Sequence, residues 1–261
     1  MLLAIDISNT GIKFGLYRDS EMLARWRIAT VREKTADEYA MLLGELLRHA
    51  GYTYEAIDAV VISCVVPPLT PTFQELALHY CAREAIVIDH TMDVGVRLLT
   101  DNPWETGTDR IMSTLAAHRL YGGPAIVIQC GTATSFDVVS AEGDFLGGAI
   151  APGMGISAEA LARAASRLYQ VELKPPPHAI GRNTIHSMQS GIVFGHVGLV
   201  EGMIARLRAE LPGGERAKVI AHGGLAEIIA QATPVIDVVN QFLILEGLRL
   251  AYVSISSSGS S

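Results

Sequence analysis

An α/β protein made of two similar halves is the fold this sequence predicts, and three observations predict it. Short apolar runs of strand character alternate with helix-period patterns along the chain. The order β-β-β-α-β-α-β that opens it starts again, with insertions, at Ala125. Finally, Ile5-Asp6-Ile7-Ser8-Asn9-Thr10 aligns with Ile128-Gln129-Cys130-Gly131-Thr132-Ala133 as two strand-to-turn elements, although few residues are identical. With 261 residues, 49% of them hydrophobic, the chain has apolar surface for a substantial core.

The elements follow in order. Leu2 to Ile7 and Ile12 to Tyr17 flank the polar Ser8-Asn9-Thr10-Gly11, as in a hairpin, and Met22 to Ile28 supplies a third strand. Thr35 and Glu38 form a capping-box pattern ahead of Tyr39, Leu42, Leu43, Leu46, Leu47 and Ala50 at helical spacing, with Gly51 as a stop. Ala59 to Cys64 reads as a buried strand, Thr70-Pro71 opens a helix to about Tyr80, and Ala85 to Ile88 is strand again. In the second half, Ala125 to Gln129, Phe136 to Ser140 and Phe145 to Ile150 read as strands, and helical patterns follow from about Ser157. Lys218 to Ala221 is strand, Leu225 to Ala230 helix, Val235 to Val239 strand and Phe242 to Val253 the final helix. The turn signal Tyr121-Gly122-Gly123-Pro124 places the boundary, giving halves over residues 1–120 and 121–255, and the Ser-rich 256–261 reads as a flexible tail.

Composition narrows the function. A formal net charge of -7 argues against broad contact with nucleic acid or anionic lipid. The N-terminus passes from Met1 straight into a strand pattern without a basic leader, and apolar stretches break before the roughly 20 residues of a bilayer span. Cys64, Cys81 and Cys130 are odd in number and lack metal spacing, so reduced thiols and a cytoplasmic location are expected. His178, His186 and His196 form no compact ligand pattern, and no Gly-x-Ser-x-Gly elbow is present. Small-molecule chemistry remains.

Two polar hairpin turns aimed at a shared cleft suit polyphosphate, because backbone N–H groups and hydroxyls converge there. In such a site Asp6 holds Mg²⁺ directly or through water, Asn9 and Thr10 donate to phosphate oxygens and Lys13 neutralises charge; the alternative is an ordinary polar hairpin. Gly131-Thr132-Ala133-Thr134 repeats the chemistry, and His222-Gly223-Gly224 adds a glycine turn that lets a nucleotide approach the backbone. Gly191, Gly195, Gly198 and Gly202 fall on one helical face, which predicts close helix packing, either between two copies or inside one subunit.

Seven segments carry a resemblance to a known family: Asp6-Ile7-Ser8-Asn9-Thr10, Asp101-Asn102-Pro103, Gly107-Thr108-Asp109-Arg110, Gly131-Thr132-Ala133-Thr134, Gly147 to Gly153, Ile180 to Thr184 and Gly223-Gly224-Leu225. In this order they resemble the type III pantothenate kinases. The resemblance implies an acetate and sugar kinase/actin-like fold with two ribonuclease H-like halves around a nucleotide cleft. It also implies ATP-dependent phosphorylation of pantothenate in a homodimer, with ATP, Mg²⁺ and a monovalent cation (K⁺ or NH₄⁺). Asp109 matches the catalytic aspartate; the bland alternative is a helix-start carboxylate. Gly107, Thr108, Arg110 and Thr184 match acceptor-binding positions, with Arg110 alternatively in a structural ion pair and Thr184 alternatively a helix N-cap. Asp6, Ile7, Ser8, Asn9, Thr10, Gly11, Ile12, Lys13, Gly131, Thr132, Gly223 and Gly224 match the nucleotide-binding segments.

Three positions depart from the family. Ser8 stands where glycine is usual, so strain at positive φ and weaker ATP binding are expected. His222 replaces a hydroxyl residue. Gln129 replaces an aspartate that helps hold the monovalent cation; it keeps a carbonyl oxygen but loses the charge. At about 3 Å and an effective dielectric near 20 that charge is worth about 5 kcal/mol before desolvation, so potassium independence is expected. The alternative function is a catalytically weak relative that binds ligand or regulates.

Overall fold

The structure, a computed structural model, describes residues 1–258. Strands β1 (Leu2–Ile7), β2 (Gly11–Arg18) and β3 (Glu21–Ala29) form an antiparallel meander, and β4 (Ala59–Cys64) and β5 (Ala85–Val87) extend β1 on its other side in parallel. The sheet order is β3-β2-β1-β4-β5. Central β1 is buried along its whole length and reads as a nearly continuous apolar run, whereas edge strand β3 alternates exposed and partly buried residues.

Helix α1 (Ala36–His49) is nucleated by the expected capping box: the Thr35 hydroxyl accepts the Glu38 N–H at 3.3 Å and the Glu38 carboxylate accepts the Thr35 N–H at 2.9 Å. Its buried stripe, Ala36, Tyr39, Ala40, Leu43 and Leu47, packs with α2 (Leu69–Cys81) over the sheet. The rings of Tyr39 and Phe73 meet with centroids 4.8 Å apart. α3 (Thr108–Tyr121) then leads out of this region.

The second sheet contains β6 (Ala125–Cys130), β7 (Ala133–Val139), β8 (Phe145–Pro152), β9 (Lys218–His222) and β10 (Val238–Val239), in the order β10-β9-β6-β7-β8. Replacing β6, β7, β8, β9 and β10 by β1, β2, β3, β4 and β5 reproduces the first sheet, including which neighbours are parallel. The inferred repeat is therefore in the hydrogen-bond pattern, where the sequence shows little identity. Between β8 and β9, where the first half has α1 and a short 3₁₀ turn between β3 and β4, the second half carries α4 (Met154–Ala164), α5 (Thr184–Gln189) and α6 (Gly195–Glu210), and α7 (Ala226–Ala230) lies between β9 and β10. Val193, Val197, Val200 and Ile204 seat the α6 region in the second core with Ile126, Ile128, Cys130 and Phe136.

Several details differ from expectation. The last strand is two residues long, not five, and α4 starts three residues before Ser157. The final helix, α8 (Leu243–Ser258), extends through Ser256–Ser258, where a flexible tail was expected; residues 259–261 lie outside the described residues. α5, the π-helical Ser190–Phe194 and α6 form one run, Thr184–Glu210, which by length and composition alone could cross a bilayer, an exception to the expected absence of such stretches. Val193, Val197, Val200 and Ile204 of this run are buried in the second core, whereas Ile185 is exposed.

The chain packs as two compact units rather than dividing at one cut. The first comprises Met1–Val96, Asn102–Ala116 and the described residues from Ile244 on; the second comprises Arg97–Asp101 and Ala117–Leu243. α8 joins the first unit because Gly247 lets its backbone close on the Met112 carbonyl of α3, while Leu245 reaches Gly15 and the Tyr17 hydroxyl donates to Glu246 at 3.3 Å. Of the four glycines expected on one helical face, Gly191, Gly195 and Gly198 do not pack inside the subunit, since a Cβ there would meet nothing within 4 Å, whereas a Cβ at Gly202 would lie 3.2 Å from the Arg206 guanidinium.

Candidate functional site

The hairpin β1–β2 closes with Ile7 opposite Ile12, which sets Asp6 opposite Lys13. Neighbouring registers add Arg27 beside Lys13 and Ser63 beside Asp6, so Arg27, Lys13, Asp6 and Ser63 form a polar row across four strands on one face. Asp6 is 1% exposed. Burial pushes its carboxyl up to about 7; Lys13 opposes that rise, nearby Asp109 adds to it, and the Ser8 hydroxyl, donating at 3.3 Å, opposes it. Burial likewise lowers the Lys13 ammonium below its usual range, against the attraction of Asp6 and Asp109.

Asp109 enters this group from the first turn of α3, where a helix N-terminus favours a carboxylate. It is buried, and its Oδ1 accepts the Arg110 backbone N–H at 2.9 Å. Thr108 is held by its hydroxyl, 2.8 Å from that of buried Ser63. Gly107 is required beside them: a Cβ there would lie 2.6 Å from Asp109 Oδ1. The first unit thus gathers Asp6, Lys13, Ser63, Thr108 and Asp109 from three strands and one helix start.

Ser8 carries no positive-φ strain, since Asp19 and Ala82 are the only described non-glycine residues at positive φ. Its N–H donates to Gly11 O at 3.1 Å and its carbonyl accepts the Thr30 hydroxyl at 2.6 Å, so the turn is tied down at both ends. Asn9 and Thr10 are exposed at the tip, with Asn9 Oδ1 accepting from Arg32 at 3.3 Å. The side chains of Ile7 and Ile12 are fully buried in the first core, which leaves only their backbones for a ligand.

In the second unit the equivalent turn is braced by backbone. Gly131 N–H donates to Ala133 O and Gly153 N–H to Thr132 O, each at 3.0 Å, and Gly153 abuts the Gly131 and Thr132 carbonyls so closely that no Cβ fits. Gly223, at φ +101°, presses on the Cys130 carbonyl, which a Cβ would approach to 2.5 Å. Thr132 and Gly224 are exposed beside these contacts. Gln129 occupies the repeat position of Asp6, with His222 and Ser135 as its register neighbours. The polar row of the second sheet therefore carries no carboxylate at the place where the first carries Asp6.

Thr184 is exposed and is the first residue of α5; the N-cap is Asn183, whose Oδ1 accepts the His186 N–H at 2.8 Å. Thr184 lines a cavity of about 960 Å³ with Arg182, Asn183, Ser157, Ile192 and His196. Two contributors escaped the sequence reading. Ser63 lies inside the Ala59 to Cys64 run that reads as a buried strand, and His196, one of the histidines without a compact ligand pattern, bonds Thr134 of the second turn.

A divalent cation suits the first-unit donors. Two carboxyl groups close enough to disfavour each other's charge offer hard oxygens, the ligands Mg²⁺ takes. Among the described residues there is no group of three or more His, Cys, Asp or Glu that could hold a metal ion.

The family model described as type III pantothenate kinase matches residues 2–206. A type III pantothenate kinase of Roseiflexus sp. (strain RS-1) is 53% identical over 97% of this chain and 98% of its own length, and one of Moorella thermoacetica is 46% identical over the same shares. The structure is also similar, at 12% identity and TM-score 0.57, to component A of the (R)-2-hydroxyglutaryl-CoA dehydratase of Acidaminococcus fermentans, covering 100% of this chain and 99% of that one. Such solved neighbours share the actin-like ATPase and sugar kinase fold.

Proposed function

The chain belongs to the type III pantothenate kinase family, and from that premise we propose which residues carry its ATP-dependent phosphorylation of pantothenate, the first step of coenzyme A biosynthesis. The observation that carries the assignment is the buried group in which Asp6, Lys13 and Asp109 feel one another's charge. Asp109 orients the acceptor hydroxyl and takes its proton. Arg110, next on the helix, pairs with the pantothenate carboxylate. Gly107 and Thr108 bring the backbone up to the acceptor, and Thr184 contributes from the α5 cavity. Lys13 offsets phosphate charge, and the residues 8–11 turn presents N–H and hydroxyl donors to phosphate oxygens. Mg²⁺, held at Asp6, supplies charge neutralisation to the phosphates when bound. Gly131 and Thr132 offer the second phosphate contact, and Gly223-Gly224 admits the nucleoside close to the backbone.

Gln129 leaves the second turn without a charged cation ligand, so activity is independent of K⁺ and NH₄⁺. The homodimer is carried over from the family; the exposed Gly191, Gly195 and Gly198 count against packing inside one chain and do not by themselves favour a contact between two copies. Free Cys64, Cys81 and Cys130 support a cytoplasmic enzyme. Nothing favours the regulatory reading, and Ser8, bonded back to Asp6, weakens the motive for it.

A steady-state assay with ATP, Mg²⁺ and pantothenate tests the assignment. Asp109→Asn keeps the shape and removes the base, so kcat falls by about 10²–10⁴ with ATP KM nearly unchanged. Turnover within about threefold of the parent would remove Asp109 from that role.

A further inference from the structure

The second core holds one polar pair with a direct line to the second turn. Thr134, 1% exposed, and His196, 6% exposed, meet with Oγ1 and Nε2 2.9 Å apart. By register Thr134 pairs with Cys130 and Ala151, so its side chain lies on the face of Cys130 and Phe136, inside the apolar cluster and directly beneath the turn. Val193, Val197 and Val200, all in that cluster, hold the helix that carries His196, and the ring bonds Thr134 at the edge of the cavity that it also lines.

We propose that His196 is a positioning residue for the second turn: by fixing the Thr134 hydroxyl it keeps the Gly131–Thr132 backbone in the conformation that receives nucleotide phosphate. The inference rests on the nucleotide role assigned to that turn.

Three features of the turn carry it. Its upper side is braced by backbone, through Gly153 N–H to Thr132 O and Leu225 N–H to Cys130 O at 3.3 Å. A threonine at the mouth of a two-residue turn has local carbonyls to bond if its partner is lost, and such bonds compete with the strand ladder. His196 removes that competition by offering a fixed partner from another element. Burial also lowers the His196 ring below its usual range, so the ring is neutral and serves as a hydrogen-bonding strut instead of a charge.

Steady-state constants for ATP and for pantothenate, with melting temperatures, are measured for His196→Leu, Thr134→Val, the double variant and His196→Gln, whose amide reaches the place of Nε2. The expected result is an ATP KM raised about fivefold or more in His196→Leu, the worth of one net hydrogen bond, because that variant frees the Thr134 hydroxyl to compete with the ladder, and a smaller change in Thr134→Val, which has no hydroxyl to compete. Pantothenate KM is unchanged in both. The double variant, which leaves no orphaned polar atom and so keeps the fold, is no worse than either single, and His196→Gln stays within about twofold of the parent. Lowered melting temperatures with ATP KM within about twofold in the single and double variants would show a purely structural pair and overturn the proposal. Gly131→Ala separates this from a failure of the underlying reading. Its methyl would meet only Ala133 O at 3.7 Å, so the fold tolerates it while the phosphate approach narrows. An unchanged ATP KM in Gly131→Ala removes the nucleotide role from the turn, and this inference with it. A raised value there beside an unchanged His196→Leu removes the inference alone.

Discussion

At the scale of single residues the buried carboxyl of Asp6 sets a conflict between stability and chemistry. Unfolded, it ionises near its ordinary 3.8; folded, near about 7. Between those values the unfolded state binds fewer protons than the folded one, so the ligand-free protein loses stability as pH rises, by roughly 4 kcal/mol once both states are ionised. Asp6→Asn, which resembles the protonated form, should therefore be more stable than the parent at pH 8 and indistinguishable from it near pH 4, while losing activity at both. Urea titrations at the two pH values check this, and a stability difference independent of pH would sink it. Gly107→Ala acts on the neighbouring carboxylate. Its Cβ would fall 2.6 Å from Asp109 Oδ1, so Asp109 must turn away, and kcat should drop by about 10²-fold or more while melting changes little. Gln129 is tested without mutation: turnover followed over a potassium titration at fixed ionic strength should be flat, and strong activation would show that its neutral carbonyl still holds the ion.

At the scale of elements, what could be read in advance was whatever is local. The Thr35–Glu38 box and the hairpin over residues 2–17 depend on near neighbours, and a hairpin closing on Ile7 and Ile12 already implies Asp6 opposite Lys13. The approach of Asp109 to that pair and the bond from Ser63 to Thr108 depend on contacts across 45 or more residues, for which the sequence carries no periodic signal. The N-cap of α5 shows the limit at short range: Asn183 and Thr184 are both able caps, and the Asn side chain wins. The glycine pattern on α6 was legible as a close-contact face, yet which partner it serves was not. Because a Cβ at Gly195 or Gly198 meets nothing in this chain, Gly195→Gln and Gly198→Gln should each favour the helix by up to about 1 kcal/mol in the monomer. In a homodimer built on this face the same changes should shift sedimentation towards monomer. A dimer that persists in both variants would place the interface elsewhere.

At the scale of the whole molecule, the first unit is completed by the last element of the chain. α8 fills it with Ile244, Leu245, Leu248 and Ala251, all buried, and its approach depends on Gly247 against the Met112 carbonyl. A side chain there meets backbone, which cannot yield as a flexible side chain can. Gly247→Val should therefore cost about 1–3 kcal/mol, despite the gain in helix propensity over glycine. The damage should be local in a telling way. Hydrogen exchange in Gly247→Val should rise first in β2 and α3, which contain Gly15, Tyr17 and Met112, and in β1, which pairs with β2, before it rises in β6 and β9 of the second unit. Since Asp6, Lys13 and Asp109 belong to the same unit, activity should fall together with that protection and ahead of global melting. Uniform loss of protection across both sheets would mean that the two units unfold as one, and that α8 stabilises the molecule without singling out the unit that carries the acceptor chemistry.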